Sequence, residues 1–300
     1  MKMKKIFLIL ALLGILLFFF LNKKERADYR IGISQIVDHP ALNATRNGFK
    51  DELKANKINA LFIETNANGD ISTLVLNTRK LINQKVNLIY AIATPTAQVS
   101  QNSTSEIPIV ISAVTDAKSA GLINKNITGV LDSVDIEKQI LLLKDVMPKI
   151  KRLGIIYSSA EQNSLIQVEN LRRITEKYKI ELIERSVSQI NEIAIATESI
   201  LKEVDALYTP ADNLVASTIN VIADKAKEAK KITIGAEKSH VDAGILMTLG
   251  IDYYELGKEA GKIAIRVMKG EKPETIEIKG MDNLKFEYNK DTAKLLGLEF

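Results

Sequence analysis

Six short polar segments hold the side chains best placed to do chemistry in this chain. They are Gln35-Ile36-Val37-Asp38-His39-Pro40, Thr94-Pro95-Thr96, Ser112-Ala113-Val114-Thr115-Asp116, Ser158-Ser159-Ala160-Glu161-Gln162-Asn163, Thr209-Pro210-Ala211-Asp212-Asn213 and Ala236-Glu237-Lys238-Ser239. Hydroxyls, amides and carboxylates dominate them. Such groups suit recognition of a small polar molecule, with hydroxyl and N–H donors for a carboxylate and an acid for an ammonium. Each segment also has a plainer reading as a helix cap. Thr94 before Pro95 fits Ncap with proline at N1, and Asp212 fits the cap of the helix that follows. Six such segments on two tandem units favour a cleft lining for the set.

Catalytic motifs are poorly represented. The 300 residues contain no cysteine and no tryptophan, and only two histidines, His39 and His240. Thiolate nucleophiles, disulfides, zinc–thiolate sites and iron–sulfur clusters are therefore excluded. His39 reads as a loop or cap residue. Gly257-Lys258-Glu259-Ala260-Gly261-Lys262 resembles a phosphate-binding loop but has one residue too few between its glycines. It also lacks a Ser or Thr after Lys262. No dinucleotide fingerprint follows a strand, and no nucleophile elbow occurs. An enzyme is not expected, nor a cofactor or metal. Pairs of carboxylates stay open, because any two acids can meet in three dimensions.

The elements that must position these segments follow from hydropathy. Tyr29–Ser34, Asn59–Glu64, Asn87–Ala93 and Ile107–Ser112 read as buried strands, with helices at Ala41–Asn56, Ile71–Gln84 and Thr96–Asn102 between them. The pattern restarts after Gly129. Strands are expected at Leu153–Tyr157, Glu181–Arg185, Ala206–Tyr208 and Ile232–Gly235. Helices are expected at Ile136–Val146, Asn163–Tyr178, Ile190–Lys202 and Asn213–Glu228. Continuous apolar strands with helical crossovers imply an α/β fold of two doubly wound parallel sheets. In such sheets ligands bind where strand ends enter loops, which is where the six segments lie.

The N-terminus is of another kind. Ile6–Leu21 is an uncharged apolar run behind Lys2, Lys4 and Lys5, the layout of an export signal. No small-x-small cleavage site follows it, and no cysteine is available for a lipid. It is expected to remain as an uncleaved hydrophobic anchor helix at the extracytoplasmic face of the cell membrane; a periplasmic or secreted protein after cleavage is the alternative. Residues 1–26 hold six basic side chains against Glu25, a net +5 in a chain whose total is +4. The remainder is thus at −1, which removes the electrostatic case for nucleic acid.

Six stretches together resemble one family. They are Gln35-Ile36-Val37-Asp38-His39-Pro40-Ala41-Leu42-Asn43, Ala93-Thr94-Pro95-Thr96-Ala97-Gln98, Ser112-Ala113-Val114-Thr115-Asp116, Asn126-Ile127-Thr128-Gly129-Val130, Thr209-Pro210-Ala211-Asp212-Asn213 and Gly250-Ile251-Asp252-Tyr253-Tyr254-Glu255-Leu256-Gly257. They are similar to the substrate-binding proteins of an ABC-transporter family with the type I periplasmic-binding-protein fold, whose members bind aromatic amino acids such as tryptophan. The resemblance runs over roughly residues 29–299. It implies two lobes joined by hinge strands, with 1–28 as signal or anchor, 29–130 and 250–272 as lobe 1, and 131–249 and 273–300 as lobe 2. Crossings are implied near Gly129–Ser133 and Gly250.

Loop position and resemblance together nominate Gln35, Thr94, Thr96, Ser112, Thr115, Asn163, Asp212 and Glu237 as ligand-binding residues. A bound amino acid would place its carboxylate on donors at Thr94–Thr96 and Ser112–Thr115. Its ammonium would meet Asp212 first and Glu237 second, with Asn163 completing the shell. The expected role is the binding component of an ABC importer, closing over an amino acid, aromatic by resemblance, and delivering it to a permease subunit. A sugar receptor of the same fold and a membrane-tethered ligand sensor are the alternatives; a sugar site usually stacks aromatic rings, and tryptophan is absent.

Overall fold

The computed structural model describes residues 27–281 and 283–300. The expected anchor at residues 6–21 lies outside them, as does its helix. Among the described residues no helix is long and apolar enough to cross a membrane.

The first half alternates β1 (Tyr29–Gln35), α1 (Pro40–Ala55), β2 (Ala60–Asn66), α2 (Ile71–Asn83), β3 (Leu88–Ile92), α3 (Thr94–Ser103) and β4 (Ile109–Val114), then β5 (Ile127–Leu131). The second repeats the scheme with α4 (Ile136–Val146), β6 (Arg152–Ser158), α5 (Gln162–Lys177), β7 (Glu181–Val187), α6 (Ile193–Leu201), β8 (Ala206–Thr209), α7 (Asn213–Ser217), α8 (Ile219–Glu228), β9 (Ile232–Gly235), α9 (Lys238–Asp242) and β10 (Met247–Gly250). The chain ends with α10 (Tyr253–Met268), β11 (Lys279–Gly280), β12 (Lys285–Tyr288) and α11 (Lys290–Leu296). Local chemistry sets many boundaries. Asp70, Asp135 and Asp252 accept backbone N–H groups at the starts of α2, α4 and α10. Gly297 takes the left-handed conformation that closes α11.

Two sheets result, ordered β11-β5-β4-β3-β1-β2 and β12-β10-β9-β8-β6-β7. All pairings are parallel except β12 on β10. Every residue of β3 and β8 is buried, as a strand covered by helices on both faces requires. Each sheet has one apolar core on either face. In the first lobe Phe49 of α1 stacks on Tyr90 of β3 with ring centroids 3.9 Å apart. The strand order reverses at β1 in one sheet and at β6 in the other, so the loops after these strands and their neighbours open a crevice.

The chain passes between the sheets three times: after Leu131, after Gly250 and between Gly280 and Lys285. At the first, Gly129 has φ +149°, and a Cβ there would lie 2.2 Å from the Ile111 carbonyl oxygen. The third corrects the division that gave 273–300 wholly to lobe 2. Lys279–Gly280 pairs with β5, and Ile276 is buried in the first core, so 273–280 belongs with the first sheet. A two-residue strand carries no hydrophobic period, and its register is fixed only by β5. Helix α10 returns to the first lobe, where it crosses α1 so closely that a Cβ on Gly48 or Gly257 would fall 2.0 Å from a backbone oxygen of the other helix.

Candidate ligand-binding site

Both sheets point the carboxyl ends of their strands at one crevice. From the first lobe come the loops after β1, β2, β3, β4 and β5; from the second, those after β6, β7, β8 and β9. Two backbone outliers sit here. Ala93 (φ 82°) and Ala113 (φ 54°) end β3 and β4 in a region that L-residues seldom occupy. Ala113 falls where the β4–β5 register shifts, between Ile111 and Val114. Such strain and bulges recur where a backbone is re-aimed at a ligand. Ala93, not Thr94, is the cap position of α3, so Thr94 and Pro95 fill its first turn.

A narrow polar chamber lies between the lobes, walled by His39, Thr115, Asp132 and Tyr253 on one side and Asn163, Asp212, Asn213 and Glu237 on the other. A second, wider space adjoins it at Asn213. Its walls are largely apolar: Ile36, Val37, Ile71 and Pro95 from the first lobe, Ile190 and Leu214 from the second. The lobes touch directly through His39 Nε2 and Asn213 Oδ1, 3.3 Å apart.

Charge is the chamber's main property. Asp132, Asp212 and Glu237 are buried around it and the half-buried Glu161 lines the adjoining space, while no Lys or Arg is among the buried described residues. Burial pushes all four acids upward, Glu237 to about 8 and Glu161 to about 7. The neighbouring acids Asp132 and Asp212 add to the rise at Glu237. Burial drives the histidines the other way, His39 to about 4 and His240 to about 3, so both imidazoles are neutral near pH 7. The acids therefore lack a cationic partner from the protein's own buried groups.

The sequence-expected residues divide into three groups. Thr115, Asn163, Asp212 and Glu237 line the chamber. Thr94 and Thr96 are buried at the start of α3, their hydroxyls without hydrogen-bond partners among the described residues. Gln35 and Ser112 stand behind the surface. Gln35 Nε2 donates to Val37 O, Asp38 Oδ1 and Asn43 Oδ1, which shapes the loop after β1. Ser112 Oγ lies 2.6 Å from the Tyr90 hydroxyl and 3.1 Å from Thr45 Oγ1.

Asp212 has other work. Its Oδ2 accepts from Ser158 N–H and Ser164 Oγ–H, both 2.6 Å away, and its Oδ1 accepts from Val215 N–H at the start of α7. The capping reading of Asp212 thus describes its contacts. Sequence reasoning did not single out Asp132, Glu161, Asn213, Tyr253 or His240, and took His39 only as a loop or cap residue. Tyr253 donates its hydroxyl to Asp132 Oδ2 at 2.7 Å across 121 positions of sequence, a pairing no local pattern signals. Glu161 did lie in a flagged loop; it accepts from Asn213 and Leu214 N–H groups and from the Asn213 amide.

The sequence from 30 to 300 matches the family model described as ABC transporter substrate binding protein. The chain belongs to that family. Its members bind solutes; they are not a family of enzymes. A tyrosine-binding protein of Clostridioides difficile (strain R20291) is 36% identical over 290 residues, 93% of this chain and 84% of that one. Among solved structures, the domain from Streptococcus pneumonia in complex with L-Trp superposes with TM-score 0.86 at 31% identity, covering 90% of this chain and 94% of that one. The ligand-free, open structure of a substrate binding protein with adhesive properties from Clostridium difficile gives 0.69 at 36% identity, covering 91% and 96%. The substrate-binding protein described here thus has two α/β lobes of the type I periplasmic-binding-protein kind.

Proposed function

We propose that this protein is the receptor of an ABC importer and closes its lobes over a free aromatic L-amino acid at the extracytoplasmic face of the membrane. One observation carries the reading: an acid-rich polar chamber and an apolar one lie side by side in the same crevice. An amino-acid head and a ring need that pair of environments. Burial of the ring is the main favourable contribution, and a few placed polar groups fix orientation. The unpartnered hydroxyls of Thr94 and Thr96, at the first turn of α3, are donors for the carboxylate. A sugar would bring no cation to the four acids, which disfavours the sugar reading.

Two comparisons support the aromatic class and the closure. A relative is named for tyrosine, and a structural neighbour holds L-Trp. The fit is better to that complex than to the open, ligand-free structure, although the latter is closer in sequence. Ligand would favour the closed arrangement, with a permease as the partner it then engages. The apolar run at 6–21 would hold the receptor at the membrane; intact mass beginning near Lys23 would overturn that part.

The absence of tryptophan supplies the assay. Excitation at the red edge of protein absorption sees almost only the ligand when protein is titrated into dilute L-tryptophan. A saturable change in emission is expected, with L-tyrosine and L-phenylalanine competing and glucose, ribose and L-glutamate not. Failure of all three aromatic amino acids to bind overturns the proposal.

A further inference from the structure

We infer that the ligand's α-ammonium is held by three acceptors drawn from both sides of the crevice: His39 Nδ1, Asp132 Oδ1 and Asn163 Oδ1. The inference rests on the amino-acid reading above and names the subsite within it.

These three atoms are buried and have no hydrogen-bond partner among the described residues, and their side chains all line the polar chamber. Each is fixed as an acceptor by its surroundings. Asn163 spends its Nδ2 on the Ala211 carbonyl oxygen, 3.0 Å away, and on Glu161 Oε2. Its oxygen is what remains. Asp132 receives the Tyr253 hydroxyl on Oδ2, leaving Oδ1 without a partner; the Thr115 hydroxyl is close enough to hold its acidity but lies outside hydrogen-bond geometry. For His39 the tautomer follows from the bridge between lobes. The Asn213 amide nitrogen donates to Glu161, so its oxygen faces His39 and must receive a proton from Nε2. A neutral imidazole protonated at Nε2 carries a lone pair at Nδ1.

Burying an acceptor without a donor costs its hydration, so three such atoms in one chamber ask for donors. An α-ammonium has three N–H bonds and one positive charge. It meets two neutral acceptors and one carboxylate, and adds the cation that the surrounding acids lack. Two of the other acids are used up, since both oxygens of Asp212 and of Glu161 accept from their own lobe. Glu237 is half engaged like Asp132, its Oε2 accepting from Ser239 Oγ, and the variants below tell the two apart. Asn163 belongs to the first turn of α5 in the second lobe, whereas His39 precedes α1 in the first and Asp132 follows β5. The three acceptors thus come from both lobes, so an ammonium held by all of them would favour the closed form.

The test is calorimetric titration of the full chain with L-tyrosine and L-tryptophan, their N-methyl and N,N-dimethyl forms, and the des-amino propanoates. In the unaltered protein, affinity should fall stepwise with each N–H lost, and by about a hundredfold for the des-amino acids, as loss of one partner of a buried charge pair implies. Asp132→Asn should erase most of that preference while binding the propanoates at least as well. His39→Phe and Asn163→Leu should each reduce it by about tenfold, the worth of one charge-assisted hydrogen bond. Equal binding of N-methylated and free amino acids by the unaltered chain would overturn the subsite without any variant having to fold. So would retention of the preference in Asp132→Asn together with its loss in Asp212→Asn or Glu237→Gln. If neither amino acid binds the unaltered chain, the amino-acid reading falls first and the subsite with it.

Discussion

The two sides of the crevice are built from the same strand–loop–helix unit, yet more of the buried polar atoms left without partners lie on one of them. On the second-lobe side the carboxylates are largely satisfied from within: Asp212 by Ser158, Ser164 and Val215, Glu161 by Asn213 and Leu214. On the first-lobe side the hydroxyls of Ser34, Thr94 and Thr96 and the Nδ1 of His39 are buried without partners, and the backbone is strained at Ala93 and Ala113. The packing beneath differs by kind of contact. Helices α1 and α10 of the first lobe meet backbone to backbone through Gly48 and Gly257, whereas Gly32 of β1 and its counterpart Gly154 of β6 meet only side chains, of Leu81 in one case and of Ile200 and Val204 in the other. The second-lobe wall is largely preorganised by its own hydrogen bonds, with Asn163 Oδ1 and His240 Nε2 left open. The first-lobe wall keeps more open donors and acceptors, which is the state expected of groups that complete their hydrogen bonds with a ligand.

That contrast can be broken in three ways. The largest effect is expected from packing. Gly257→Ala places a methyl group 2.0 Å from the Thr45 carbonyl oxygen and should cost about 3 kcal/mol in denaturant unfolding, the upper end for overpacking. Gly154→Ala meets Ile200 Cδ1 at 2.9 Å and should cost about 1 kcal/mol, because a side-chain end can move. Equal costs would erase the difference between the backbone-to-backbone contact and the side-chain one.

Next comes the polar contrast. Asp212→Ala removes an N-cap and leaves the buried Ser158 N–H without its acceptor, so a stability loss of about 2 kcal/mol is expected. Thr94→Val and Thr96→Val remove hydroxyls without hydrogen-bond partners among the described residues. They should change ligand-free stability by less than about 0.5 kcal/mol yet weaken L-tryptophan binding by about tenfold. Thermal melting with and without ligand separates these outcomes, and a large ligand-free loss in either threonine variant would contradict them.

The smallest effect is on pH. Burial pushes Glu237 up to about 8 and Glu161 up to about 7 from their ordinary 4.5. If the lobes open as proposed, the closed form would hold protons that a hydrated crevice releases, and it would lose stability as pH rises from about 4.5 through those values. Asp132 and Asp212 shift in the same sense. His39 and His240 are depressed to about 4 and about 3 from 6.5, so they add stability as pH rises toward 6.5. The two trends oppose each other below about pH 6.5; above it only the acids remain. Without ligand, the closed form should weaken by about 1–2 kcal/mol between pH 6.5 and 8. Small-angle scattering should show a larger radius of gyration at pH 8, and Glu237→Gln should remove most of the change. A radius independent of pH in the unaltered chain would show that these acids do not govern closure.

Much of the fold was legible along the chain. The buried strands at Tyr29, Asn87, Ile107 and Leu153 announce themselves because both sheet faces are covered, so their apolar runs are continuous. The short elements were not. Strands β11 and β12 are too brief for any period, α9 is a single turn and a half, and the break between α7 and α8 at Thr218 has no glycine or proline to mark it. The loops carrying Thr115, Asn163, Asp212 and Glu237 were found because strand ends entering helices are where such sheets bind ligands, and the structure gathers those four around one chamber.

By itself the sequence determined the two tandem α/β units, the polar loops that face each other and, through its lack of cysteine and near-lack of histidine, the chemistry that cannot occur. It also set the apolar N-terminal run apart from a body of nearly balanced charge. Only the tertiary structure decided which polar groups are used up and which are left. Asp212 and Asp132 look alike in sequence, as single acids beside small residues. One is consumed by Ser158, Ser164 and Val215, and the other is half engaged by Tyr253, which follows 121 residues later. Hydropathy periods report which face of an element is buried, since that depends on neighbours along the chain. Hydrogen-bond satisfaction depends on partners brought together by folding, and so it is settled only in three dimensions.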